Sequence, residues 1–352
     1  MKKIIIKLDN NESEILMGNG LINKIGEVIK EKLPKTRKIL IVTDSNVSKL
    51  YLESLRTNIK NAGFEKVNSI SFEAGEKSKN IDVYLEIIKA ASMLKLTRED
   101  AFVSLGGGVV GDITGFCAAT YLRGINFVQV PTSFLAAIDA SIGGKTGIDT
   151  EFGKNLIGAF WQPKVVIFDT DTLKTLPDLE YKNGLGEAIK YALLEGGEIY
   201  NILNSGLNES NIEDFIYLCA QSKARIVEKD EKEGGLRALL NLGHTIGHAE
   251  ESITNFGIPH GMAVADGIML MSKAALNSNE IDIDTFKKIE NIINKYDVGS
   301  GIKFSIDDLM LFIENDKKVR NDGINVIKIK GIGNCVIEKM TFDSFKEYIK
   351  WI

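Results

Sequence analysis

The chain has 352 residues, 44% of them hydrophobic and 26% charged, and a formal net charge of −5. That composition describes a globular protein long enough for one large or two ordinary domains, and the acidic balance weighs against a dedicated nucleic-acid binder. Cys117, Cys219 and Cys335 are isolated, so neither a disulfide framework nor a paired-cysteine metal motif is expected. Only Ile4-Ile5-Ile6 separates Lys3 from Lys7, too short for a signal peptide, and no apolar run approaches a membrane span. The expected location is the cytoplasm.

Residues 38–43 read as a buried strand ending at Asp44, and 47–62 as a helix stopped by Gly63. Residues 67–72 form a second predicted strand, 81–94 a helix, and 101–105 a third strand that runs into glycines. A fourth strand at 127–130 closes on Pro131, and a fifth at 165–168 ends at Asp169. This alternation predicts a parallel or mixed sheet covered on both faces. The pattern changes near residue 176: 186–194, 212–228, 236–252 and 262–276 read as helices. The tail continues with helices at 283–293 and 305–314, and a hairpin of 325–330 and 334–339 around Gly331-Ile332-Gly333. The expectation is an α/β domain over 1–176 and a mostly α-helical domain over 177–352.

Gly106-Gly107-Gly108-Val109-Val110-Gly111-Asp112 follows a strand and leads into a helix predicted at 113–120. Glycines there let backbone approach a pyrophosphate, and helix N-terminal amides supply donors. The spacing is neither that of a Rossmann fingerprint nor of a Walker loop, and an ordinary tight turn explains it equally well. Asp44 and Asn46 at a strand end, and the Gly75-Glu76-Lys77-Ser78-Lys79 loop, add polar groups where open α/β sheets bind ligands. Lys145, flanked by glycines between Asp139 and Asp149, and Gly153-Lys154-Asn155 read as a flexible loop offering charge to a phosphate.

All three histidines fall in one window. His244 and His248 are four apart, on one face of a helix, and His260 follows in Pro-His-Gly. Thr245 stands where the zinc-peptidase motif needs glutamate, which weighs against a peptidase. A catalytic zinc takes three protein ligands and keeps one position open. A carboxylate would complete a histidine set, and Glu187, three residues before Lys190, is the leading candidate, with Glu250 and Glu251 open as alternatives.

Taken together, Gly-Gly-Gly-Val-Val-Gly-Asp, Pro-Thr-Ser before Asp139, Gly-Gly-Lys145-Thr, Gly-Lys154-Asn155, Gly-Glu187-Ala-Ile-Lys190 and Leu-Asn241-Leu-Gly-His-Thr-Ile-Gly-His resemble the 3-dehydroquinate synthase family. The resemblance runs in order over most of the chain. It implies an NAD-binding α/β domain, a helical metal-binding domain and an active site between them. It implies conversion of 3-deoxy-D-arabino-heptulosonate 7-phosphate, a small anionic sugar phosphate, to 3-dehydroquinate with loss of phosphate. It also implies zinc or cobalt, a homodimer, and neither nucleic-acid nor membrane partners.

By the same resemblance, Glu187, His244 and His260 are the metal ligands. His248, Lys145, Asn155 and Asn241 contact phosphate; Lys223 and Arg237 face the substrate carboxylate; Asp139 and Lys190 face hydroxyls near the metal. Arg123 reaches the neighbouring subunit's site, and Lys317, or else Lys318, closes over the phosphate. NAD is held by Asp44, Asn46, Glu76, Lys79, Gly108, Val109, Val110, Gly111, Asp112, Thr132, Ser133, Lys145, Lys154, Thr172, Leu173, Lys174 and Thr175. The chain departs from the common pattern at Asp149, often Asn, at Asn325, often basic, and at Ile329-Lys330, more commonly Leu-Pro. Rival readings are another sugar-phosphate cyclase such as 2-deoxy-scyllo-inosose synthase, a metal-dependent polyol dehydrogenase of the glycerol dehydrogenase type, and a catalytically silent NAD- or metal-binding protein.

Overall fold

The computed structural model describes residues 1–8, 11–317 and 323–350, without the side chains of 315–317. It separates into two compact units, one of Met1–Leu176 with Lys223–Glu228, the other of Pro177–Ser222 with Lys229–Ile352.

The first unit is built on a seven-stranded sheet. Its strands are β1 (Lys2–Leu8), β2 (Asn11–Gly18), β3 (Lys38–Asp44), β4 (Lys66–Phe72), β5 (Ala101–Gly106), β6 (Asn126–Pro131) and β9 (Val165–Asp169), with β7 (Lys145–Thr150) and β8 (Gly153–Phe160) forming a separate antiparallel pair. The sheet order is β1-β2-β9-β6-β5-β3-β4, and every neighbouring pair except β1–β2 is parallel. Helices α1 (Ile25–Lys32), α2 (Glu53–Asn61), α3 (Ile81–Leu94) and α4 (Gly108–Thr120) complete it. Strands covered on both faces read as unbroken apolar runs. Ile39, Leu40, Ile41 and Val42 of β3 are accordingly all buried, on alternate faces in two core clusters.

From β3 the chain passes to β4 on one side, then crosses back to β5 and continues to β6 and β9 on the other. The reversal lies between β3 and β5, the topological switch point where open sheets of this kind hold ligands. Asp44 and the glycine loop therefore flank it.

Three local expectations change. The helix predicted at 47–62 opens with a π turn, Ser48–Leu52, before α2. Helix α4 begins at Gly108, five residues ahead of the predicted 113, so Val109, Val110, Gly111 and Asp112 sit in its first turns. The supposed flexible lysine loop is largely the β7–β8 hairpin: Gly147 pairs with Gly158, and a Cβ on Gly147 would come within 2.8 Å of the Ile157 carbonyl. Glycine there is a packing requirement, not a flexibility signal.

The second unit contains α5 (Asp178–Glu195), α6 (Gly197–Ser205), α7 (Ile212–Lys229) apart from Lys223–Glu228, α8 (His244–Ile253), α9 (His260–Asn277), α10 (Ile283–Tyr296), α11 (Ile306–Lys317), the hairpin β10 (Ile324–Gly331) and β11 (Asn334–Met340), and α12 (Phe342–Ile349). Lys223–Glu228, near the C-terminal end of α7, groups with the first unit, whereas a division at 176 places it in the second. Helices α5, α8 and α9 approach through glycines. A Cβ on Gly186 would collide with the Gly261 backbone, and one on Gly247 would meet the Ala263 carbonyl at 2.9 Å. The continuous helix expected at 236–252 is broken: Leu236–Asn241 is a 3₁₀ turn, Gly243 sits at φ 80°, and α8 starts at His244. Among the described residues no helix is long and apolar enough to cross a membrane.

Candidate active site

In the first unit the polar residues gather behind the carboxyl ends of the parallel strands. Asp44 turns the chain after β3, its Oδ1 accepting from the Asn46 and Val47 amides at 2.8 and 2.9 Å. Gly107 caps α4 with no side-chain hydrogen bond, so the first-turn amides remain available to an anion. Gly106, Gly107, Gly108 and Gly111 line a small cavity with Ser104 and Ala140. A Cβ on Gly108 would lie 3.3 Å from the Ala140 Cβ, and one on Gly111 3.3 Å from Gln129 Nε2. Thr132 donates its amide to the Gly106 carbonyl at 3.0 Å, and Ser133 Oγ accepts from the Ala136 amide at 3.3 Å. Thr172, Leu173, Lys174 and Thr175 form the 3₁₀ turn Thr170–Thr175 after β9.

Lys79 ties this region to the hairpin. Its Nζ reaches Asp112 Oδ2 at 2.7 Å and Asn155 Oδ1 at 2.5 Å. Asp149 accepts the Asn155 amide at 2.8 Å and donates its own amide to the Lys79 carbonyl at 2.7 Å. Lys154 pairs with Glu76 at 3.7 Å. Burial opposes the Lys79 charge, but Asp112 and Glu76 outweigh it and hold the ammonium above its ordinary pKa. Burial raises the Asp112 and Glu76 carboxyls above theirs. Buried Lys223 bonds Asp139 twice, at 2.5 Å to Oδ1 and 2.7 Å to the carbonyl. Arg123 is exposed on a turn where it and Leu122 both take positive φ, 62° and 52°. Lys145 is exposed at the start of β7.

In the second unit the three histidines converge, with ligand atoms within 4.8 Å of one another. Helix α5 adds Glu187, 1% exposed, whose Oε1 lies 3.3 Å from His244 Nε2 and 3.1 Å from His260 Nε2. Lys190, one turn on and also 1% exposed, puts Nζ 2.5 Å from Glu187 Oε2. Burial opposes charge on Glu187 as well, yet Lys190 and His244 hold its carboxyl well below the usual range. Burial lowers the His244 pKa. At His260 burial is outweighed by hydrogen bonds to Glu187 and Glu251, which raise its pKa to about 10.

The donor set suits a divalent ion. His244 Nδ1 lies 3.1 Å from the Leu242 carbonyl, which can only accept, so in neutral His244 the proton sits on Nδ1. Its bare Nε2 then faces the Glu187 carboxylate, two acceptors that a cation reconciles. Zinc with ligands about 2.0–2.1 Å away spaces them roughly 3.3 Å apart in a tetrahedron, which matches the distances at Glu187. His248 stands exposed beside this group, 5.3 Å from His244 ring to ring.

Arg237, 1% exposed, donates from its side chain to the Glu231 carbonyl and from its amide to Asp230 at 2.9 Å. Asn241 donates to Glu233 at 3.1 Å. Because the predicted helix is broken at Gly243, Arg237 and Asn241 belong to the 3₁₀ turn and not to the helix of His244. The Lys317 side chain and Lys318 lie outside the described residues. Sequence reasoning missed Asp230, whose carboxylate gathers the Gly234, Gly235 and Arg237 amides, and weighed Glu251 only as an alternative ligand, whereas its Oε2 lies 3.0 Å from His260 Nδ1. Glu251 had a signal: seven residues after His244, it falls on the same helix face.

A twisted parallel sheet with an open glycine turn, and a helical unit with a Glu–His–His cluster, place the chain with enzymes of the sugar-phosphate cyclase architecture. A solved structure of 2-deoxy-scyllo-inosose synthase, in complex with carbaglucose-6-phosphate, NAD+ and Co2+, superposes with TM-score 0.88 at 25% identity, covering 99% of this chain and 100% of that one. Residues 69–183 match the model for the 3-dehydroquinate synthase N-terminal part, and 184–319 that for its C-terminal part. A 3-dehydroquinate synthase of Clostridium acetobutylicum is 43% identical over 363 aligned residues, covering 99% of each chain. Another, from Prochlorococcus marinus, is 43% identical over 94% of this chain and 93% of its own. The chain belongs to the 3-dehydroquinate synthase family.

Proposed function

We propose that this chain converts 3-deoxy-D-arabino-heptulosonate 7-phosphate to 3-dehydroquinate with release of phosphate, using NAD and zinc or cobalt. The Glu187 carboxylate set between two imidazole nitrogens, with Lys190 behind it, carries this reading. The first unit would bind NAD and the second the metal and much of the substrate, dividing the chain near residue 176. Bound NAD would take and return a hydride, while the ion would polarise a substrate oxygen. Glu187, His244 and His260 would hold the ion. Asp44 and Asn46 would face the nucleotide ribose, and the first turn of α4, with Thr132, Ser133 and Lys154, its phosphates.

The remaining groups answer a substrate bearing both phosphate and carboxylate. Lys145, Asn155, Asn241 and His248 would take the phosphate, and Lys223 and Arg237 the carboxylate, fixing its pose by charge-assisted hydrogen bonds. Asp139 and Lys190 would bond ring hydroxyls, with Lys223 beside Asp139 Oδ1 to hold that carboxylate as a charged acceptor. No spare histidine is left over for phosphate elimination, so the departing phosphate would serve as its own base. Arg123 would act in a second copy's site, making the working unit a cytoplasmic homodimer, and Lys317 would close over the phosphate.

Supplying the heptulosonate phosphate with NAD and zinc, and following phosphate and dehydroquinate, tests this. Stoichiometric NADH would indicate a polyol dehydrogenase. Turnover only of a sugar phosphate lacking the carboxylate would indicate an inosose-type cyclase. NAD binding without turnover would indicate a silent protein.

A further inference from the structure

We propose that Glu251 is a positioning residue for the metal centre, fixing His260 with its proton on Nδ1 and its Nε2 directed to the ion. This rests on Glu187, His244 and His260 being the ligands. His260 is the first residue of α9, preceded by Pro259, and its side chain is 32% exposed. The helix backbone alone does not hold such a ring in one orientation. Two carboxylates do: Glu187 from α5 meets Nε2 at 3.1 Å, and Glu251 from α8 meets Nδ1 at 3.0 Å. Glu251 is 4% exposed, so water competes poorly for its oxygen.

The consequence is a division of labour between the two imidazoles. A carboxylate on the far nitrogen makes an imidazole a stronger donor to a metal than a carbonyl does, and it locks ring and tautomer together. His244 leans on the neutral Leu242 carbonyl at 3.1 Å, while His260 leans on a charged group. His260 is therefore the better electron donor of the pair, and Glu251 acts on the ion only through it. The close passage of Gly186 against Gly261 and of Gly247 against Ala263 packs α5, α8 and α9 tightly enough for both carboxylates to reach one ring.

The test uses the full chain, stripped of metal and then titrated with zinc against a chelating dye. Glu251→Gln keeps the shape and removes the charge; zinc affinity should fall roughly 10–100-fold, and Glu251→Asp should fall less. NAD affinity should not change. Long-range proton–nitrogen spectra of the zinc-loaded parent should show His260 protonated at Nδ1, a readout that does not depend on any variant folding. Zinc affinity of Glu251→Gln within twofold of the parent, with His260→Ala losing zinc, overturns the role of Glu251 and leaves the ligand set intact. Retention of zinc by His260→Ala overturns the ligand set and this inference with it. A zinc-loaded parent with His260 bare at Nδ1 also overturns it.

Discussion

Replacing Lys190 by methionine removes one of the two cations paired with a carboxylate that is 1% exposed. Breaking a buried pair by deleting one partner costs about 3–5 kcal/mol, because the remaining charge is left desolvated. Here His260 still faces Glu187 Oε1 at 3.1 Å, so the lower end, about 3 kcal/mol, applies to the metal-free protein. At roughly 2–4 °C per kcal/mol, the metal-free melting temperature should drop by about 6–12 °C. A bound divalent ion supplies the missing positive charge, so zinc should raise the melting temperature of Lys190→Met more than that of the parent. Thermal scans of both proteins, stripped and zinc-loaded, check this. An unchanged metal-free midpoint in Lys190→Met would refute the reasoning, since Glu187 would then not depend on Lys190 for its charge.

Glu250 is 1% exposed, its Oε2 has no hydrogen-bond partner among the described residues, and burial next to Asp266 raises its pKa to about 9. Its folded pKa exceeds the unfolded value, so stability should decline as pH rises from about 4.5 to 9, by at most ~1.4 kcal/mol per unit. Glu250→Gln should flatten that slope in urea unfolding at pH 6 and pH 8; an unaltered slope would count against it. Gly186→Ala should cost about 1–3 kcal/mol by overpacking and, by prising α5 from α9, should weaken zinc binding in a dye titration. Mixing Arg123→Ala with His260→Ala chains should restore part of the activity each lacks alone, since one mixed dimer site would be intact; no recovery would contradict a shared site.

The sheet was legible because β3, β5, β6 and β9 are short apolar runs bounded by Asp44, Gly106, Pro131 and Asp169. The N-terminal hairpin was less so: Ile4 and Ile6 are buried while Ile5 is 39% exposed, an alternation hidden in a run of three isoleucines. The helix break at Gly243 escaped a periodicity argument because apolar spacing continues across it, and only the left-handed φ separates Arg237 and Asn241 from His244. The histidine cluster was visible as a spacing, but spacing alone left the partner carboxylate open among Glu187, Glu250 and Glu251. Glu187 lies 57 residues before His244 and 73 before His260, so only the crossing of α5 and α9 brings it there. The pairing of Lys223 with Asp139, 84 residues apart, is likewise a property of the fold.

The most direct measurement follows phosphate release and dehydroquinate formation with NAD at one-tenth of the heptulosonate phosphate concentration. A cofactor reduced and reoxidised within each cycle should support many turnovers per NAD, with no accumulation of NADH. Activity should vanish when zinc is chelated or His260 is replaced by alanine. Product capped at one equivalent per NAD, or full activity in metal-free His260→Ala, would contradict the account.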